Sequence, residues 1–73
     1  MTMSRHRDRY LELLLERISE DKYPSGELMD RAEEAMSRPE HLAAYLDVLL
    51  DKVDETWYPS KQMLDRISRL APA

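Results

Sequence analysis

The chain has 73 residues, with no cysteine, one glycine and four prolines, and fifteen acidic against eleven basic residues give it a formal net charge of -4. A chain of this length forms one domain, residues 1–73, and the absence of cysteine excludes a disulfide framework and a thiolate metal site. A hydrophobic fraction of 42% is too high for a disordered tail. The acidic balance argues against a general nucleic-acid-binding protein, which needs a basic surface.

The first two predicted elements are helices near 4–21 and 25–36. The first carries apolar residues at helical spacing, and the second has a narrower apolar stripe. Pro24 separates the helices, since proline disfavours helix in the residue before it. Ser25 then follows as the N-cap residue, whose hydroxyl accepts a bond from a free backbone N–H.

The third and fourth predicted elements are helices near 38–55 and 60–71, again with helical apolar spacing. Ser37 to Glu40 reads Ser-Arg-Pro-Glu, which predicts a capping box with proline in the first turn. Pro59 and Ser60 repeat the proline and N-cap serine that precede the second helix. The four elements predict an all-α fold.

An internal repeat is the most informative feature of the sequence. Residues 10–35 align without a gap on residues 45–70, with ten of the 26 positions identical, and His6 also falls on His41. The repeat therefore extends over 6–35 and 41–70, and predicts two duplicated helical hairpins. We expect them to face each other across a pseudo-twofold axis in a compact four-helix bundle. The alternative is a short solenoid, which ordinarily needs about three units.

The sequence offers no convincing catalytic or cofactor site. His6 and His41 occupy equivalent positions at the starts of the long helices, where we expect them to be exposed. A metal pair would need Glu40 or Asp8 to converge on them. A single glycine excludes a Gly-rich phosphate loop, and neither histidine belongs to a nucleophile–base motif. We therefore expect no enzyme activity, no metal and no cofactor.

Three features of the sequence exceed what a minimal bundle needs. Leu13 and Val48 occupy the same outlying position beside the apolar stripe in the two units. Acidic residues recur at four-residue spacing on both long helices, where like charges cost a few tenths of a kcal/mol per pair. Aromatic residues, which are enriched at binding hot spots, surround both inter-helix turns. The candidate contact residues are Leu13, Val48, Trp57, Tyr23, Tyr58, Glu12, Glu16, Glu20, Asp47, Asp51 and Glu55.

Each of these features also has a plain structural explanation. One exposed aliphatic residue is tolerated on most helices, and a line of acids is commonly a solvated helix face. The tyrosines can close the turns with their hydroxyl groups in water, and Trp57 can fill the end of the core. The recurrence of the features in both units is what favours binding.

These observations predict a small, non-enzymatic protein-interaction module, and we expect a bacterial regulatory or accessory subunit. Its partner is another protein or a second copy of the chain, as in a self-associating homodimer. A third hypothesis is a nucleic-acid-associated protein that uses Arg5, Arg7 and Arg9. No apolar run approaches the length of a membrane span, and no apolar stretch follows the early arginines as in a secretory signal. We therefore expect a cytoplasmic protein without membrane contact.

Overall fold

The computed structural model describes residues 2–56 and 59–72, with side chains from residue 5 onward. This part of the chain contains four α-helices and no strand. The helices are α1 (Thr2–Glu20), α2 (Gly26–Ala35), α3 (Pro39–Glu55) and α4 (Lys61–Leu70). Every bound lies within two residues of its predicted position. The predicted all-α four-helix bundle is confirmed, whereas the duplication of its two hairpins stays a prediction.

The two short helices begin as the sequence predicts. The Ser25 hydroxyl accepts a hydrogen bond from the backbone N–H of Leu28 at 3.1 Å, and the Ser60 hydroxyl accepts one from that of Met63 at 3.0 Å. Both serines have extended backbone conformations, as N-cap residues require. Each bond pairs an N–H group that has no partner inside the helix.

The predicted capping box at the start of α3 is wrong. Arg38 is the N-cap residue, and its side chain makes no capping bond. The imidazole Nδ1 of His41 instead accepts a hydrogen bond from the backbone N–H of Ser37 at 3.1 Å. His41 is therefore buried, at 8% exposure, and the prediction that it lies exposed like His6 is wrong.

The hydrophobic core lies where all four helices meet, and α3 is the central helix, in contact with each of the others. Tyr45, Ile18, Met29 and Leu49 are its largest fully buried side chains. The long helices form one layer and the short helices another, in a slab of 42 × 28 × 17 Å. The core residues are Leu11, Leu14, Ile18, Met29, Ala32, Ala35, Tyr45, Leu49 and Met63.

The two long helices lie side by side and run in the same direction. Near their beginnings, the imidazole Nε2 of His41 lies 3.3 Å from Oδ1 of Asp8. Near their ends, the Lys52 ammonium donates a hydrogen bond to the backbone carbonyl of Asp21. The short helices are parallel as well, since Asp30 pairs with Arg66 and Glu33 with Arg69.

Equivalent helices meet through non-equivalent faces. At the α1–α3 contact, α1 contributes Asp8, Leu11 and Leu15, and α3 contributes His41 and Ala44. The positions on α1 that are equivalent to these α3 residues, 6 and 9, lie on a different side of α1. A twofold axis would bring the same face of each helix to the contact. The two hairpins therefore pack side by side within the bundle, and the expected pseudo-twofold axis between them is wrong.

We predict that removing either serine cap destabilises the bundle. Ser25→Ala and Ser60→Ala should each lower the free energy of unfolding by about 1 kcal/mol, or Tm by about 4–8 °C, because in each variant one helical N–H group loses its partner. Ser68→Ala, at an exposed position within α4, is the matched control and should change little. Urea and thermal unfolding followed by circular dichroism measure the difference. Equal effects at all three serines would contradict the capping role.

Candidate partner-binding surfaces

A buried polar network joins α2, α3 and α4. Oε2 of Glu33 accepts a hydrogen bond from the Tyr45 hydroxyl at 2.5 Å and one from Nη1 of Arg66 at 2.6 Å. Oε1 of the same carboxylate accepts a bond from Nη2 of Arg69 at 2.9 Å. Arg66 also pairs with Asp30 at 2.8 Å. The Glu33 and Arg66 side chains are only 15% and 10% exposed, so this is a structural contact between the hairpins.

The network changes the acidity of its members. Burial alone raises the pKa of the Glu33 carboxyl, but hydrogen bonds from Tyr45, Arg66 and Arg69 outweigh burial and hold that pKa below its ordinary value. Burial raises the pKa of the Tyr45 hydroxyl well above its ordinary value, and the bond to Glu33 raises it further. The Glu33 carboxyl is therefore ionised at neutral pH.

Leu13 and Val48, predicted to be equivalent contact residues, have different environments. Leu13 is 45% exposed on the side of α1 that points away from α3. Val48 is partly buried and packs against the core. Val48 lies on the same side of α3 as His41, and this side packs against α1, so the Val48 side chain is covered. Of the two, Leu13 is the residue whose side chain is open to a partner.

The outer side of α1 carries a mixed apolar and basic surface. Leu13 lies there with Tyr10, which is 43% exposed, and with three exposed residues that are basic or titratable, His6, Arg9 and Arg17. We call His6, Arg9, Tyr10, Leu13 and Arg17 the open α1 face. Arg9 pairs with Glu12 in its own helix at 3.4 Å, and such an exposed pair contributes little to stability.

The opposite end of the slab carries an apolar groove that the sequence analysis missed. It has a volume of about 360 Å³ and runs along the side of α3 that faces away from α1. Leu50, 49% exposed, lies in its wall, and Asp47 lies at its rim. We call this the α3 groove; its lining residues are Pro39, Leu42, Ala43, Leu46, Asp47, Leu50 and Pro72.

The predicted acidic lines lie together on one edge of the molecule. All six carboxylates are exposed, and because α1 and α3 are parallel neighbours, their two lines run alongside each other. The α3 line begins at Asp47, on the rim of the α3 groove. We call this set the acidic edge; its members are Glu12, Glu16, Glu20, Asp47, Asp51 and Glu55.

The aromatic turns are described only in part. Tyr23 is 80% exposed in the α1–α2 turn, and the Lys22 ammonium lies 5.8 Å from the centre of its ring. Trp57 and Tyr58 lie outside the described residues. Tyr23 therefore does not close the core, and its ring is available at the surface.

Within residues 2–56 and 59–72, no three histidine or acidic side chains gather as a metal site requires. Over the same residues, no helix is long and apolar enough to cross a membrane. No family model, curated protein or solved structure matches the chain.

We predict that Glu33 makes the bundle sensitive to acid. Because the pKa of Glu33 is lower in the folded protein than the ordinary 4.5, its contribution to stability is complete above pH 4.5 and is lost as the pH falls through the folded value. Glu33→Gln should lower the free energy of unfolding at pH 7 by about 3 kcal/mol, because it leaves Arg66 buried without the Glu33 carboxylate. The same variant should lose less stability than the parent chain between pH 6 and pH 3.

The matched control is Glu34→Gln, which changes the neighbouring, exposed carboxylate. Urea unfolding at a series of pH values compares the two variants with the parent chain. An unchanged acid sensitivity in Glu33→Gln, or an equal effect of Glu34→Gln, would show that the network does not contribute as proposed.

Proposed function

We propose that the chain is a non-enzymatic protein-interaction module. The observation that carries this proposal is the α3 groove, in which half-exposed Leu50 and other apolar residues line about 360 Å³ beside the carboxylate of Asp47. Such a groove suits the apolar side of an amphipathic helix, a recurrent mode of peptide recognition. The acidic edge next to the groove favours a partner with basic residues beside its apolar stripe.

The charges and the apolar residues have different parts in this binding. Exposed charges contribute more to the rate of association and to orientation than to affinity. The apolar contacts, at Leu50 in the groove and at Leu13 on the open α1 face, are desolvated on binding and supply most of the affinity. Tyr23 and Trp57 remain candidate contacts on the turns. On composition, the proposed role is that of a bacterial, cytoplasmic regulatory or accessory subunit.

Self-association is the second candidate function. It is favoured by the presence of two unlike surfaces on opposite ends of the slab, one with arginines and one with carboxylates. An assembly that joins the two surfaces would cover the open α1 face of one copy with the α3 groove of the next. A nucleic-acid-associated role is less well supported, because Arg9 lies on a face that also presents Leu13 and Tyr10.

We predict that Leu50→Asp abolishes capture of a partner from a lysate of the native host by the tagged chain, because a buried unpaired carboxylate is strongly unfavourable. Ser19→Asp, which adds the same charge at an exposed position of α1, is the control and should capture normally. Circular dichroism should show equal helicity in both variants. Mass spectrometry then identifies what is captured, including the chain itself.

Two results would contradict the proposed function. The first is that the unmodified chain captures nothing and does not associate with itself. The second is that Leu50→Asp captures the same proteins as Ser19→Asp, with the same dependence on salt.

A further inference from the structure

Exposed apolar side chains in one unit correspond to covered ones in the other. The correspondence is the 35-residue offset of the sequence repeat. Tyr10 is 43% exposed, whereas its equivalent Tyr45 is fully buried; Leu13 is 45% exposed, whereas its equivalent Val48 is partly buried against the core. Both covered residues lie on α3, in the unit that has a neighbour on that side.

The opposite end of the molecule shows the same relation in reverse. Leu64 is 43% exposed on α4, whereas its equivalent Met29 on α2 is 1% exposed. Leu50 is 49% exposed, whereas its equivalent Leu15 is partly buried and packs against the core. Of the five large apolar residues that are exposed in the described part of the chain, four therefore occupy positions that become covered wherever a neighbouring unit is present.

The α3 groove is the counterpart of the surface on which α3 itself rests. The α1 side of the internal contact is formed by Asp8, Leu11, Glu12 and Leu15. The residues 35 positions later are Ala43, Leu46, Asp47 and Leu50, and all four line the α3 groove. In the same way, the buried His41 and Lys52 on the inner side of α3 correspond to the exposed His6 and Arg17 of the open α1 face.

The charges at the two ends are complementary for the same reason. Inside the molecule, Asp30 on α2 pairs with Arg66 on α4 at 2.8 Å. Each unit of the repeat contains both residues, so Arg31 is the equivalent of Arg66 and Asp65 is the equivalent of Asp30. Arg31 and Asp65 therefore lie at opposite ends of the molecule. Arg31 pairs with the exposed Glu27 one turn away and also interacts with the Tyr10 side chain, and Asp65 pairs with the exposed Lys61 one turn away. Such pairs are weak and can be exchanged at little cost.

We propose that the occupant of the α3 groove is the open α1 face of a second copy of this chain, packed as the second hairpin packs on the first. In this contact Leu13 of one copy enters the groove beside Leu50 of the other, and Arg31 pairs with Asp65. Arg9 lies opposite Asp47, as Ala44 lies opposite Glu12 inside the molecule. The proposal deepens the proposed function by naming its partner, and rests on it in that respect.

The contact is head-to-tail, so it leaves one free end of each kind. Such heterologous contacts form rings when the rotation closes and open chains of subunits when it does not. The contact between copies is weaker than the internal one, because two polar partners of the internal contact are not repeated. Asp8 corresponds to Ala43, and Glu33, the centre of the buried network, corresponds to Ser68. Assembly should therefore depend on concentration.

The experiment is sedimentation of the purified chain up to about 1 mM, the weak end of specific association. The parent chain should grow beyond a dimer as concentration rises. Leu13→Asp disrupts only the open α1 face, and Leu50→Asp disrupts only the α3 groove. Each variant alone should associate at least about tenfold more weakly than the parent chain. Mixed in equal amounts, they still share one intact contact and should form a heterodimer that grows no further.

A second pair of variants tests the same contact through charge. Asp65→Arg and Arg31→Asp should each reduce self-association, because like charges then meet at the contact. Their mixture should assemble, since every contact between unlike chains again joins opposite charges. Ser19→Asp is the control for all four variants and should sediment as the parent does.

Three outcomes would overturn the proposal: a parent chain that stays monomeric throughout, single variants that associate like the parent, or mixtures that remain monomeric. A monomeric parent that still captures another host protein through Leu50 would overturn the self-contact and leave the proposed function intact. Failure of both capture and self-association would contradict the two proposals together.

Discussion

The contact between the two hairpins is the constraint on which the rest of the structure depends. At its centre, the Glu33 carboxylate receives hydrogen bonds from Tyr45 on α3 and from Arg66 and Arg69 on α4. A chain of this size buries only about 60% of the surface that its unfolded form exposes. With no cysteine to form a disulfide, each hairpin relies on the other to cover its apolar stripe. We expect this buried, charged contact to select one register between the hairpins as well.

The same contact accounts for the distribution of exposed residues. Since α1 and α3 meet through different faces, each keeps one side that no other described part of the chain covers. On α1 that side carries arginines and Leu13; on α3 it is the groove that contains Leu50. A bundle closed around a twofold axis would not leave two unlike ends of this kind. The proposed binding functions rest on this geometry. For binding, the separation of basic residues at one end from acidic residues at the other matters more than the net charge of the chain.

Much of the fold could be predicted from local signals. Helical spacing located the four helices, and the Pro-Ser steps located both N-caps, because each signal depends on residues within one or two turns. The capping box at Ser37 failed because a tertiary contact competes with it: the His41 ring faces Asp8 on α1 and accepts the Ser37 N–H. No local pattern announces that competition.

The candidate site was predicted less well than the fold. Leu13 and the six carboxylates are exposed, as a contact surface requires, but the sequence makes Val48 equivalent to Leu13 although α1 covers that side of α3. Leu50 shares the helical apolar spacing of α3, but spacing gives the face of a residue and not which neighbour covers it. The difference in exposure between equivalent positions distinguishes the open residues from the covered ones. That difference depends on how the hairpins pack, which the sequence alone does not give.

The most direct test of the account separates the two hairpins. Peptides covering residues 1–36 and 37–73 should each lose most of their helicity when measured alone by far-ultraviolet circular dichroism, because neither can bury its apolar stripe. Mixed in equal amounts, they should recover the helicity and the cooperative thermal transition of the intact chain. Full helicity in either peptide alone, or no gain on mixing, would contradict the claim that the contact between the hairpins holds the fold together.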